Sequence, residues 1–143
     1  MYCSMGQGVV LFFALCVIGS VVLAAEDRVT VGGKLFEEHC SACHSIEKGI
    51  NEFGPSLYGI VGRHAASIQE YGYSAAIKAS GIVWTEENIK RYLRNPQTEI
   101  RCHGVVMGRM KECLGIKMSF RGFADPKEAD AVLSYLKSIG TTP

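Results

Sequence analysis

Net charge is what this sequence most lacks. Fifteen Lys and Arg against 14 Asp and Glu leave +1 at neutral pH, so no basic field is present to follow a phosphate backbone, and no nucleic-acid partner is expected. Internal repeats and low-complexity tracts are also missing, which excludes repeat arrays and linker-like tails. No apolar/polar alternation runs long enough to build a sheet, and helical periodicity dominates, so the expected class is all-α. A chain of 143 residues has room for one small domain. Charge is wholly absent from residues 1–25, where Val9 to Ala25 is apolar apart from a Gly and a Ser. This stretch reads as an export signal, with Leu23-Ala24-Ala25 as the small residues before a cleavage point. It lacks the usual positive start, so the alternative is an uncleaved anchor of 17 residues, at the lower limit for crossing a bilayer. Cys16 lacks the small-residue setting of a lipoprotein signal. Cleavage would leave a domain over 26–143 with no membrane contact, a monomer in the periplasm.

Against these absences stands one dense motif, Cys40-Ser41-Ala42-Cys43-His44. C-x-x-C-H is the attachment signature of a c-type haem. On a helical turn residues i and i+3 share a face, so two thiols can add to the two vinyl groups of one porphyrin. His44 follows directly and becomes the proximal iron ligand. Half of a zinc site is the alternative, but it needs a second ligand pair at finger-like spacing. The remaining cysteines of the exported chain are Cys102 and Cys113, far downstream. The cofactor expected is one covalent haem c. It would fill a core that 118 residues can otherwise build only thinly. In an exported protein Cys102 and Cys113 most simply form a disulfide worth about 2 to 3 kcal/mol. The alternatives are two free thiols, or a metal clip with His103 that lacks a fourth ligand.

Helices are expected around this motif. Val31, Leu35 and His39 recur at i, i+4, i+8, with Gly32, Phe36 and Cys40 beside them, so a first helix runs into the haem motif. From Gly49 to Gly72 the chain is rich in Gly and Tyr with Pro55, a loop long enough to need something to wrap. Ser74 to Ser80 reads as a short helix ended by Gly81. Thr85 caps a helix through Asn95, with Glu86 and Glu87 at its positive end and Pro96 as its stop. Asp125, Pro126 and Glu128 open a last helix whose stripe is Ala129, Val132, Leu133 and Leu136, with Gly140 as its C-terminal stop. Gln97 to Gly122 reads as a loop, of which about 97–117 lead up to Met118.

His44 leaves one coordination position on the iron, and Met107, Met110, Met118 and His103 are the downstream groups that could fill it. Here the chain resembles the class I cytochromes c of bacteria and mitochondria. The resemblance is carried by Gly54-Pro55-Ser56-Leu57-Tyr58-Gly59, Gly62-Arg63, Tyr71-Gly72-Tyr73, Gly81-Ile82-Val83-Trp84, Tyr92-Leu93-Arg94-Asn95-Pro96, Lys117-Met118-Ser119-Phe120-Arg121-Gly122 and Tyr135-Leu136-Lys137, in that order, across nearly all of residues 28–139. It implies a single all-α domain of helices and long loops around the haem. By position it makes Met118 the distal ligand, a soft thioether that favours ferrous iron. It makes Pro55 the carbonyl partner of the His44 ring, Tyr73 and Trp84 the donors to a buried haem propionate with Arg63 as the nearby cation, and Tyr92 the tyrosine beside the methionine. Gly32 and Phe36 would pack on Val132 and Tyr135.

Two departures from that pattern stand out. Met118 follows Pro96 by 22 residues, an enlarged ligand loop that costs more entropy to order. Cys102 and Cys113 bracket the insertion, so a disulfide there would shorten it. Ile77 replaces a polar residue of many relatives, so a local polar network is expected to be absent. With both axial positions filled the chain would be a one-electron carrier and no enzyme, serving a respiratory or photosynthetic chain. Arg101, Arg109, Lys111, Lys117 and Arg121 against Glu112 make the methionine loop basic. Partners with acidic docking patches follow, on a quinol-oxidising complex and a terminal oxidase. The alternative is a peroxidase-like haem enzyme or small-ligand sensor, which requires Met118 off the iron.

Overall fold

The computed structural model describes residues 27–100 and 116–140. Helix α1 covers residues 27–39 and ends in a turn that holds the C-x-x-C-H motif. It is followed by α2 (Ala75–Ala79), α3 (Glu86–Arg94), α4 (Pro96–Glu99) and α5 (Pro126–Gly140). Strand pairing among the described residues is confined to one isolated bridge, His64 to Val83.

Local chemistry places the helix ends. Thr85 accepts the Asn88 amide at 3.2 Å, with Glu86 and Glu87 in the first turn of α3 and Arg91 and Arg94 in its last, an ordering that suits the helix dipole. Ser74 caps α2 in the same way. Asp125 Oδ1 accepts the Lys127 amide at 2.9 Å at the start of α5. Pro96 both ends α3 and opens α4, where its missing N–H is no loss. The expected loop from residue 97 is therefore corrected over its first residues. They form a helical turn, tied back to α3 by a 2.7 Å Arg91–Glu99 pair. Residues 101–115 of that expected loop, which hold the basic residues 101 to 111, lie outside the described residues.

The core joins three helices: Phe36 of α1, Ile89 and Leu93 of α3, and Ala129, Val132, Leu133 and Leu136 of α5, with Ile60 and Phe123 from the intervening segments. On α1 the buried stripe is Gly32 and Phe36, whereas Val31 is 42% exposed. The α5 crossing selects the row that carries the glycine, the row expected to pack on Val132 and Tyr135, and Leu35 beside it is half-buried against the core. A Cβ at Gly32 would run into the Ala131 carbonyl and lie 2.9 Å from Tyr135 Cβ, while Phe36 and Tyr135 pack with ring centroids 5.5 Å apart. Gly140 is the last described residue of α5, and its smallness admits Gly59, whose Cα would stand 2.9 Å from an added Cβ. The ion pairs that link α3 to α5, Lys90–Asp130 and Lys137–Glu86, are exposed and stabilise little.

Ala at position 32 gains helix propensity but meets a backbone carbonyl that cannot move aside. We expect Gly32→Ala to lose about 2 kcal/mol by urea unfolding of the holoprotein. Gly33→Ala should lose less, since its Cβ would meet the Tyr135 ring edge at 3.3 Å. Equal effects at the two positions would contradict the crossing.

Candidate haem site

The turn after α1 is wound tightly enough to put both cysteines on one wall. Cys43 N and His44 N both donate to the Cys40 carbonyl, at 3.0 and 2.9 Å, and Cys40, Cys43 and His44 line one cavity of about 340 Å³. Burial pushes the Cys40 thiol up to about 11, with Cys43 adding to the shift. A neutral sulfur is what this position tolerates, and a thioether is one.

His44 Nδ1 lies 2.8 Å from the Pro55 carbonyl. A carbonyl only accepts, so Nδ1 carries the hydrogen and Nε2 keeps its lone pair for a metal. Burial lowers the His44 pKa, the Pro55 bond opposing it in part. The neutral imidazole that a ligand must be is therefore the favoured state. Gly54 N donates to the Cys43 carbonyl at 2.7 Å, and its Cα faces the His44 ring so closely that a Cβ would overlap Cε1 and Nδ1. Gly54 is thus a site residue, which the sequence reading placed only within a motif.

The loop over residues 49–72 wraps the same cavity. Arg63 staples it, its guanidinium donating to the Tyr58 carbonyl at 3.0 Å and the Ser56 carbonyl at 2.7 Å. Burial lowers the Arg63 pKa, partly offset by Tyr73. Two of its five N–H donors are engaged in these bonds, which leaves others for an anion. Tyr73 packs edge-on against Tyr71 at 4.8 Å, and Trp84 against Tyr92 at 5.0 Å. Tyr73, Trp84, Tyr92 and Ile77 all line the cavity. Ile77 presents an aliphatic side chain there, as its sequence departure implied.

Met118 reaches the cavity from the far end of the chain. Tyr92 Oη donates to Met118 Sδ at 3.8 Å, and burial pushes the Tyr92 pKa up, so the phenol stays a donor. Gln97, on α4, donates to the Met118 carbonyl at 2.9 Å, and Lys117 Nζ donates to the Gly72 carbonyl at 2.6 Å. Both ties were missed from sequence. Each joins residues more than 20 positions apart, and no local pattern marks such a pair. Cys102, His103, Met107, Met110 and Cys113 lie outside the described residues.

These residues fit a haem. Two thiols three positions apart, an imidazole with its second nitrogen free, a thioether and a largely apolar slot are together the donor set of a c-type centre. Family comparison agrees. The Cytochrome c family profile matches residues 29–140. Cytochrome c of Euglena viridis is 36% identical over 108 residues, covering 76% of this chain and 93% of that protein. Cytochrome c2 of Blastochloris viridis is 35% identical over 130 residues, covering 90% and 92%. The solved structure of cytochrome cH from Methylobacterium extorquens superposes with a TM-score of 0.62 at 34% identity, over 77% of this chain and 97% of that one. This chain belongs to the cytochrome c family. Its cofactor is one covalently attached haem c, and its class is that of haem electron carriers.

Because Gly54 leaves no room for a side chain beside the imidazole, Gly54→Ala should push the His44 ring off the Pro55 carbonyl. The expected outcome is a reduced yield of haem-loaded protein and a shifted potential, read by pyridine haemochrome assay and redox titration. Wild-type values on both would show the contact to be dispensable.

Proposed function

We propose that this chain is an exported single-haem carrier. It would move one electron at a time between a quinol-oxidising complex and a terminal oxidase of a respiratory or photosynthetic chain. The observation that supports this most is the meeting of His44 and Met118 in one cavity, each already tied by a second group, Pro55 and Tyr92. If His44 and Met118 both hold the iron, no open position would be left for a substrate, which favours a carrier over an enzyme or sensor. When bound, the haem supplies a reversible one-electron couple at its iron.

The protein's own residues then divide the work. Cys40 and Cys43 hold the porphyrin by two thioethers. His44 and Met118 are the proposed iron ligands, the imidazole held in one tautomer and the thioether favouring the ferrous state. Tyr73, Trp84 and Arg63 are proposed to meet a haem carboxylate, which would be costly to bury without donors. Tyr92 draws electron density from Met118 sulfur. The Cys102–Cys113 disulfide is proposed as the brace of the enlarged ligand loop. Residues 1–25 are proposed as the export signal that places the domain, a monomer, in the periplasm. Among the described residues no helix is long and apolar enough to cross a membrane. Lys117 and Arg121 flank Met118, and with the cations of 101–111 they would steer the carrier toward acidic patches on its partners.

The deciding measurement is the ferric absorption spectrum. Met118→Ala should lose the methionine–iron charge-transfer band and drop sharply in potential; a mutant that keeps the band assigns the ligand elsewhere. Tyr92→Phe removes only the donor to sulfur, so the band should stay while the potential falls by about 30 mV, roughly threefold in a one-electron equilibrium constant. An unchanged potential in Tyr92→Phe would detach the phenol from the redox site. Edman sequencing of the purified protein should begin at Glu26, and a start at Met1 would favour the tethered form.

A further inference from the structure

Gln97 stands outside the haem cavity, an exposed residue on the short helix α4. Its side-chain amide nonetheless donates to the Met118 carbonyl at 2.9 Å, across 21 positions of sequence. An exposed glutamine left to itself keeps its rotamer freedom, so a bond over that span reflects a platform that aims it. Asn95 closes α3 and opens α4, its carbonyl accepting the Thr98 and Glu99 amides at 3.3 and 3.2 Å. Pro96 and Ile100 are buried at the two ends of α4. The outer side of the turn is pinned to α3 by Arg91 Nε and Glu99 Oε1 at 2.7 Å, and Arg91 also donates to Asn88 Oδ1.

Met118 is thus held at two atoms from two successive helices. Tyr92 of α3 reaches its sulfur, and Gln97 of α4 reaches its carbonyl. The other ties of the segment act at its neighbours, Lys117 on the Gly72 carbonyl and the Phe123 amide on the Leu93 carbonyl. A methionine side chain turns about three bonds, so a sulfur that parts from iron returns readily unless the backbone also moves away. Gln97 acts on that backbone. Met118 follows Pro96 by 22 residues, a span costly to order, and a donor at its base restrains the ligand directly. We propose that Gln97 is a positioning residue for Met118: its amide clasps the Met118 backbone and sets how often the thioether leaves the iron, with the Arg91–Glu99 pair holding the clasp in place. This inference rests on the reading of Met118 as iron ligand. A solvent-exposed hydrogen bond and a surface ion pair stabilise a whole fold little, so the consequence is local, a shift in the opening equilibrium of one segment.

Imidazole binding to the ferric holoprotein reads that equilibrium. An outside ligand reaches the iron only while Met118 is off it, so its apparent affinity scales with the open fraction. At mildly alkaline pH, where imidazole is neutral, Gln97→Leu should bind it about fivefold more tightly than wild type, the scale of one hydrogen bond. Gln97→Glu, equal in length but without a donor when ionised, should do at least as much. Gln97→Lys restores a donor of similar reach and should return close to wild type. Glu99→Ala should give about a twofold rise that disappears in the Gln97→Leu background, because both act through one clasp. In Gln97→Leu the methionine–iron band and the urea midpoint of the holoprotein should keep their wild-type values. Wild-type affinity in both Gln97→Leu and Gln97→Glu overturns the inference. So does an equal rise in Gln97→Lys, or a lowered urea midpoint, either of which makes the residue a part of the general packing. Additive effects of Glu99→Ala and Gln97→Leu would remove the Arg91–Glu99 pair from the clasp. Met118→Ala should bind imidazole far more tightly than any of these variants; if it matches wild type, the assignment of Met118 to the iron fails, whatever the Gln97 variants show.

Discussion

The contact between the His44 ring and the Gly54–Pro55 backbone is the constraint on which the site depends. Three forces meet in it. Helix α1 ends in the turn that aims His44, the Pro55 carbonyl at 2.8 Å fixes its tautomer, and the missing side chain at Gly54 lets the backbone pass against the ring. Burial around it keeps the imidazole neutral, so one packing arrangement sets orientation, proton position and charge together. That wall is only as steady as α1, and α1 is held by its crossing with α5 at Gly32, where the Ala131 carbonyl occupies the space of a Cβ.

The opposite wall is built differently. Met118 comes from a segment without helix, held through long-range ties: Tyr92 at its sulfur, Gln97 at its carbonyl, and Lys117 reaching Gly72. Each hydrogen bond is worth only about 1 kcal/mol. Phe123 adds a buried ring on the same stretch, its amide on the Leu93 carbonyl at 2.9 Å, and Gly122, at φ 102°, passes close to the Arg94 carbonyl. Helix α3 thereby serves two purposes, packing Ile89 and Leu93 into the core while offering its C-terminal end as the dock for the ligand segment. This division suits the proposed carrier: the wall that bears Cys40, Cys43 and His44 is held by helix packing, and the wall that would tune the iron is held by side-chain hydrogen bonds.

Much of this was legible in the residue string. Cys40 to His44 reads alone because attachment chemistry demands a fixed spacing on one turn. The caps Ser74, Thr85 and Asp125 are legible because a helix end is satisfied by its neighbours in sequence. Which row of α1 faces inward was legible only through the family pattern, which put Gly32 and Phe36 on α5. Periodicity alone does not decide, since Val31 is as apolar as Phe36 and the choice rests on the glycine at the crossing. The helical turn after Pro96 was read as loop because four residues carry too little periodicity to register.

By itself the sequence determined the cofactor, the helix ends and, through the family pattern, which residues would gather around the haem, since each depends on spacings within a turn or on residue types that few positions can replace. Only the tertiary structure decided how the gathering is done: that Gly54 must be bare because a ring lies on it, and that Gln97 and Lys117 hold the Met118 segment. The reason is physical. A turn is closed by bonds between neighbours, whereas a site is closed by contacts between residues far apart in the chain, whose distance from one another exists only after the helices have packed.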